Sequence, residues 1–220
     1  MRYLRALALA MLVLGSCCRP AVAGTGVPDE QLWTEVDVEQ PLGSNYSITG
    51  VGQLRVSESL ANPIFTAAGL DVDHSSGAWT LGVGYRHQVT GDRQGEDINV
   101  TQVARFNVTW RHQWGRSTLA LRSRLEDVLT ASSNPWRARV RAEYRWATEN
   151  AGPVRYLYTN DEVFYQFSDG EFFRNRFQIG MRIDIGKRAS LLTYYQRQDS
   201  REQTPGAINA LGLTLGIALR

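Results

Sequence analysis

The sequence predicts an all-β fold, an antiparallel transmembrane β-barrel of about 10 to 12 strands, on three observations. After an N-terminal leader, apolar and polar residues alternate with period two through almost the whole chain. Clusters of Gly, Asn, Ser and Pro interrupt the alternation at intervals of about 12 to 15 residues. No apolar run beyond the leader approaches the roughly 18 residues that a spanning helix needs, so a chain of this kind crosses a bilayer only as strands.

Residues 1–23 read as a secretory signal. Arg2 and Arg5 precede an apolar run, and Ala21-Val22-Ala23 supplies the small-x-small site, which makes 24–220 the barrel. Leu14-Gly15-Ser16-Cys17 also resembles a lipoprotein box, which would leave a lipidated Cys17 instead. Cleavage after Ala23 removes both cysteines of the chain, and with them disulfides, thiolate catalysis and cysteine-ligated metals. A formal charge of +2 does not mark a nucleic-acid binder.

The strand candidates follow in order: 32–40, 45–57, 63–73, 78–89 and 98–114, then 116–129, 135–146, 154–167, 172–185, 190–198 and 208–219. Most exceed the 5 to 6 residues usual in soluble sheets and suit the roughly 9 to 11 of tilted membrane strands. Short connections (74–77, 114–116, 186–189) alternate with longer polar ones (90–99, 129–134, 199–207), as when short turns face the periplasm and long loops face outward. Eleven candidates conflict with the even strand numbers of single-chain bacterial barrels. Ten follows if 32–40 is incomplete or tucked inward, and twelve if one segment is missed.

Each strand has a greasy face and a charged face. In 98–114, Val100, Ala104, Phe106, Val108 and Trp110 oppose Thr101, Arg105, Asn107, Thr109 and Arg111. In 116–129, Leu119, Leu121 and Leu125 oppose Arg122, Arg124 and Glu126. RARVRAEYRW (137–146) resembles a basic patch until its register is read: Arg137, Arg139, Arg141, Glu143 and Arg145 share one face, with Ala138, Val140, Ala142, Tyr144 and Trp146 on the other. In 172–185, Phe173, Phe177, Ile179, Met181, Ile183 and Ile185 oppose Arg174, Arg176, Gln178, Arg182 and Asp184.

A soluble barrel shows the same alternation inside out. Ten or more strands enclose more space than apolar side chains fill, so here the lumen is the polar side. Trp79, Trp110, Trp114, Trp136, Trp146 and Tyr156 sit near strand ends, as interfacial girdles require. Lys187 is the single lysine among 24 basic residues, and guanidinium forks suit a lumen of bridged carboxylates, although a GC-rich genome gives the same bias.

The segments RLE (124–126), NDEVF (160–164), FFRNRFQIG (172–180) and TYYQRQ (193–198), in that order and spacing, resemble a family of short Gram-negative outer-membrane β-barrels known as a domain of unknown function. The resemblance covers roughly 30–219. It implies an outer-membrane barrel and brings no established activity or ligand. One departure is the end of the last strand, where Arg220 stands in place of the aromatic residue common at the close of such barrels.

No catalytic residue, metal site or cofactor is expected. His74, His87 and His112 lack ligand spacing, and Asp73-His74-Ser75 are chain neighbours that cannot converge as a triad. Asp161 points outward by register and belongs near an interface or a bulge, whereas Glu162 faces the lumen and pairs with Arg174, Arg176 or Arg182. The candidate site is a lumenal charge network of Arg122, Arg124, Glu126, Arg139, Arg141, Glu143, Glu162, Arg174, Arg176 and Arg182. Joined by Asp184, it closes the lumen as an ion-pair lattice, or it leaves an anion-selective path lined by Arg122, Arg124, Arg139, Arg141 and Arg176. The partners expected are outer-membrane lipid, lipopolysaccharide, the barrel-assembly machinery and small anions in the lumen, but no nucleic acid. The location is the outer membrane of a Gram-negative bacterium and the role is structural or envelope-associated, with a lipid-modifying enzyme as the remote alternative.

Overall fold

The computed structural model describes residues 28–57, 63–91, 98–130, 134–148, 152–201 and 206–219, so the leader and Cys17 lie outside the described residues. It contains eleven strands: β1 (Asp29–Leu42), β2 (Tyr46–Ser57), β3 (Pro63–Ser76), β4 (Trp79–Gly91), β5 (Ile98–Trp114), β6 (Ser117–Leu129), β7 (Trp136–Ala147), β8 (Val154–Gln166), β9 (Glu171–Ile185), β10 (Ala189–Ser200) and β11 (Ala207–Ala218). Each overlaps one predicted segment.

Neighbours in sequence pair antiparallel around a closed barrel, and β1 pairs with β11 in parallel, from Asp29 opposite Ile208 to Glu39 opposite Ala218. The expected even number is therefore corrected: the described residues form eleven strands, and β1 is a full member of the wall. An odd ring cannot alternate direction all the way round, so one seam must be parallel. Closure pairs the backbone of every strand and leaves no edge, which is what a lipid-embedded sheet requires.

Because β1 and β11 run the same way, the first strand starts and the last strand ends at opposite ends of the barrel. The end where β11 finishes carries the connections 43–45, 77–78, 115–116, 148–153 and 186–188. We call it the turn end. Two of its connections are two residues long, and Gly77 and Gly115 take the positive φ, 58° and 54°, that so tight a reversal demands. The opposite, loop end carries 58–62, 92–97, 130–135, 167–170 and 201–206.

Alternation along these strands turns the aliphatic series outward. Val83 is 55 % exposed and Leu211 64 %, and Leu121, Val140 and Ile179 are exposed with them, a distribution suited to lipid contact. Aromatics ring the turn end: Trp79 and Trp146 are exposed, His112 stacks between Trp110 and Trp114 at 5.7 and 5.6 Å, and Tyr46 covers His74 at 4.5 Å. At the loop end Trp136 and Phe172 are exposed, and Tyr165 packs on Phe172 with ring centres 5.2 Å apart. Tyr156 departs from the predicted girdle, lying under the Arg145 guanidinium at 5.0 Å on the lumenal side.

A register shift between Phe164 and Tyr165, where β8 meets β9, changes one predicted face. Tyr165 pairs with Phe172, whereas Phe164 pairs with Arg174, so Phe173 is the extra residue of a β-bulge. Sequence alternation predicts Phe173 on the lipid face. It is instead completely buried, packed edge-on against the lumenal Phe164 at 6.1 Å, and Phe172 takes the outer place. Asp161, on the outer face three pairs from this bulge, accepts a hydrogen bond from Asn175 at 2.9 Å.

The outward face generates a direct expectation. Val83→Arg places a guanidinium in the apolar belt and should cost about 2–4 kcal/mol if that belt lies at the bilayer midplane. Denaturant unfolding in lipid measures it, and an unchanged midpoint would place Val83 outside hydrocarbon.

Candidate functional site

The lumen is organised around one carboxylate. Across the wall Arg122 of β6 stands opposite Arg141 of β7, which stands opposite Glu162 of β8, which stands opposite Arg176 of β9. Two arginines face to face repel, so the row needs the acid beside it. Glu162 is 2 % exposed and accepts hydrogen bonds from Arg122 at 2.7 Å and Arg139 at 2.8 Å, with Arg176 at 3.6 Å. Arg139 uses its other terminal nitrogen on Glu126 at 2.8 Å, so one guanidinium bridges two buried carboxylates. Arg124 reaches Glu126 at 3.6 Å and donates through Nε to Asn107 at 2.5 Å. Further toward the turn end Glu143 is held by Arg145 and stands 3.5 Å from Arg141.

A second acid centre lies on β3. Asp71 accepts from Arg86 at 2.6 Å and, by two bonds, from Arg105 on β5, one of them 2.8 Å. Arg105 is two strands away, and the reach is possible because the strand between carries glycine. A Cβ on Gly84 would stand 1.9 Å from the Asp71 carboxylate, and one on Gly82 2.0 Å from that of Asp73. Glycine there leaves the floor on which both aspartates lie flat across β4.

The two ends of the lumen differ. At the loop end Phe164 and Phe173 meet beneath Arg137, Arg139, Arg174 and Arg176, whose guanidinium carbons lie 4.5–5.4 Å from ring centres. Arg55 is sandwiched between Trp33 at 3.7 Å and Phe65 at 4.0 Å. Stacked guanidiniums keep their charge while covering apolar rings. An amide ladder, Asn160 to Gln178 to Gln196 at 2.8 and 2.6 Å, runs alongside. Gln196, Gln198 and Ser200 are buried beside the rings at this end.

Below this packing the lumen opens into a cavity of about 420 Å³ that reaches Thr80 and Arg111 toward the turn end. Its wall is sorted by charge. β1 and β3 contribute Glu35, Asp37, Asp71 and Asp73, with Arg55 of β2 and Arg86 of β4 beside them, whereas β5 to β9 contribute eight arginines against Glu143 and Glu162. We call this space, which runs from Trp33 and Arg55 near the loop end to Thr80 and Arg111 near the turn end, the cup.

Of the predicted network, Arg122, Arg124, Glu126, Arg139, Glu162 and Arg176 come together as one lattice, with Arg141 and Glu143 beside it. Arg174 lies on Phe164 and Phe173 and donates to Ser200 at 3.1 Å; Glu162 is bridged by Arg122 and Arg139 rather than by Arg174. Arg182 pairs with Asp184 at 3.4 Å, both about two-fifths exposed near the turn end and apart from Glu162. Asp73 and Ser75 share the lumenal face, whereas His74 points outward against Tyr46, which separates that trio. Among the described residues no group of three His, Cys, Asp or Glu side chains is placed to hold a metal ion. Sequence reasoning missed Asp71 with Arg86 and Arg105, the Trp33–Arg55–Phe65 stack, and Phe173. The first had a signal in the paired glycines of β4; the bulge that turns Phe173 inward had none.

A closed barrel with an apolar exterior and an ion-paired interior defines the class. Residues 30–209 match the family described as "Protein of unknown function (DUF2490)", and the chain belongs to it. No curated protein matches the sequence. Among solved structures, the chain is similar to an anion-selective porin from Comamonas acidovorans, with 10% identity and a TM-score of 0.41 over 80% of this chain and 53% of that one. It is also similar to OmpTdeltaL8, the loop L8 deletion mutant of OmpT, an outer membrane protein of Vibrio cholerae, with 12% identity and a TM-score of 0.42 over 77% of this chain and 58% of that one. The chain thus spans little more than half the length of each.

The lattice and the peripheral pair should respond differently to truncation. Glu162→Ala leaves buried guanidiniums without their carboxylate and should cost about 3–5 kcal/mol in unfolding free energy. Asp184→Ala, at a solvated pair, should cost less than about 1 kcal/mol. Equal losses in denaturant unfolding would show that Glu162 does not organise the lumen.

Proposed function

We propose that this chain is a non-enzymatic β-barrel of the Gram-negative outer membrane, with an envelope-associated role, whose lumen is closed at the loop end. The observation that carries the reading is the packing of Phe164, Phe173 and their arginines across that end, continued by the buried Glu162 and Glu126 lattice. The outward aliphatic belt and turn-end aromatics support the membrane, and the short-turn rule sets the loop end outward and the cup toward the periplasm. Among the described residues His74 faces away from Asp73 and Ser75, which favours the non-enzymatic reading. Lipid and lipopolysaccharide on the outer face and the assembly machinery are the partners that such a barrel implies.

A small anion-selective pore is the second reading, favoured by the surplus of arginine on the cavity wall. It requires a path past the two phenylalanines. Folded protein should migrate differently before and after boiling, and in planar bilayers it should give no steady conductance. Phe164→Ala combined with Phe173→Ala should open an anion-preferring conductance. Steady conductance by the unaltered protein would contradict closure, and extraction as a soluble periplasmic protein would contradict the membrane location.

A further inference from the structure

The ion pairs that fill the lumen leave some charges in the cup unspent. On the acidic wall Asp71 is committed to Arg86 and Arg105, but Asp37 has a buried carboxylate oxygen with no hydrogen-bond partner. Asp73 lies on its glycine floor and forms no ion pair among the described residues. On the basic wall Arg111 has no carboxylate partner among the described residues, and Arg141 stands 3.5 Å from Glu143, beyond strong hydrogen-bond range. β1 and β3 lie across the ring from β7, which carries Arg141, and Arg111 stands on β5, two strands from β3, so the four side chains border one cavity.

We propose that the cup binds a small zwitterion with surplus negative charge, its anionic groups on Arg111 and Arg141 and its ammonium at Asp37 and Asp73. A purely anionic solute would face the carboxylates of Asp37 and Asp73 with no countercharge between them. A plain cation would meet a wall on which arginine outnumbers acid. A molecule with both charges satisfies both walls, and guanidinium forks match carboxylates geometrically. A volume of about 420 Å³ falls within the roughly 300–1,000 Å³ of small-molecule sites. The inference rests on closure of the loop end, because a cavity with one mouth holds a solute that a channel would pass.

Calorimetric titration of the folded full chain in detergent, with L-glutamate, glutarate and 4-aminobutyrate, tests it. L-Glutamate carries two carboxylates and an ammonium, and each of the others lacks one element. L-Glutamate should bind at least about tenfold more tightly than either. Asp37→Asn with Asp73→Asn should reduce its affinity to that of glutarate, and Arg111→Gln with Arg141→Gln to that of 4-aminobutyrate. Heat-modifiable migration of each variant checks that it is folded. Glutarate binding as tightly as L-glutamate, or no binding of any of the three by folded protein, overturns the assignment. Conductance separates the two readings: a closed barrel that binds none loses only the ligand, and a conducting barrel that still prefers L-glutamate loses only the closure.

Discussion

The hydrogen bonds from Arg122 and Arg139 to Glu162 are the interaction on which the interior depends. Three neighbouring strands bring Arg122, Arg141 and Glu162 into one row, and without the acid that row would set like charges against each other on the cavity wall. Burying an unpaired guanidinium is costly, so the arginine-rich faces of β6, β7 and β9 are tolerable only where carboxylates answer them. Arg139 carries the solution onward by bridging Glu162 to Glu126, and Asp71 repeats it with Arg86 and Arg105. The greasy exterior needs no such arrangement, because its aliphatic side chains carry no charge to neutralise.

From that constraint follows the asymmetry between the two ends. At the loop end the arginines also cover Phe164, Phe173 and Trp33, so charge and apolar area fill the same cross-section. Toward the turn end the acids of β1 and β3 face the arginines of β5 to β9 across the cavity, with Glu143 held on β7 between Arg141 and Arg145. The parallel β1–β11 seam adds a topological polarity: the first strand begins at the loop end, and the last finishes at the turn end.

Strand positions, the inward and outward faces and the arginine lumen were legible in the sequence because all three rest on period-two alternation, which sheet geometry enforces locally. Arg122, Arg139, Arg176 and Glu162 could be assigned to one interior on register alone. Their pairing could not, since it depends on which rows align across strands; Arg182 fell to Asp184 near the turn end instead. Strand parity was hidden for a similar reason, as a parallel closing pair leaves no mark on either strand's own pattern. Phe173 was misassigned because one extra residue at a bulge inverts the face of its neighbours. Asp71 could have been found, had the glycines of β4 been read as space for a side chain from the next strand.

The central claim is that the lumen is a cup closed at the loop end and open at the turn end, and site-directed labelling reads this most directly. Ser168→Cys stands exposed at the loop end and Thr109→Cys lines the cup. With a bulky, membrane-impermeant maleimide, Ser168→Cys should label on intact cells and Thr109→Cys only after the outer membrane is permeabilised. Labelling of Thr109→Cys on intact cells as fast as Ser168→Cys would contradict the account.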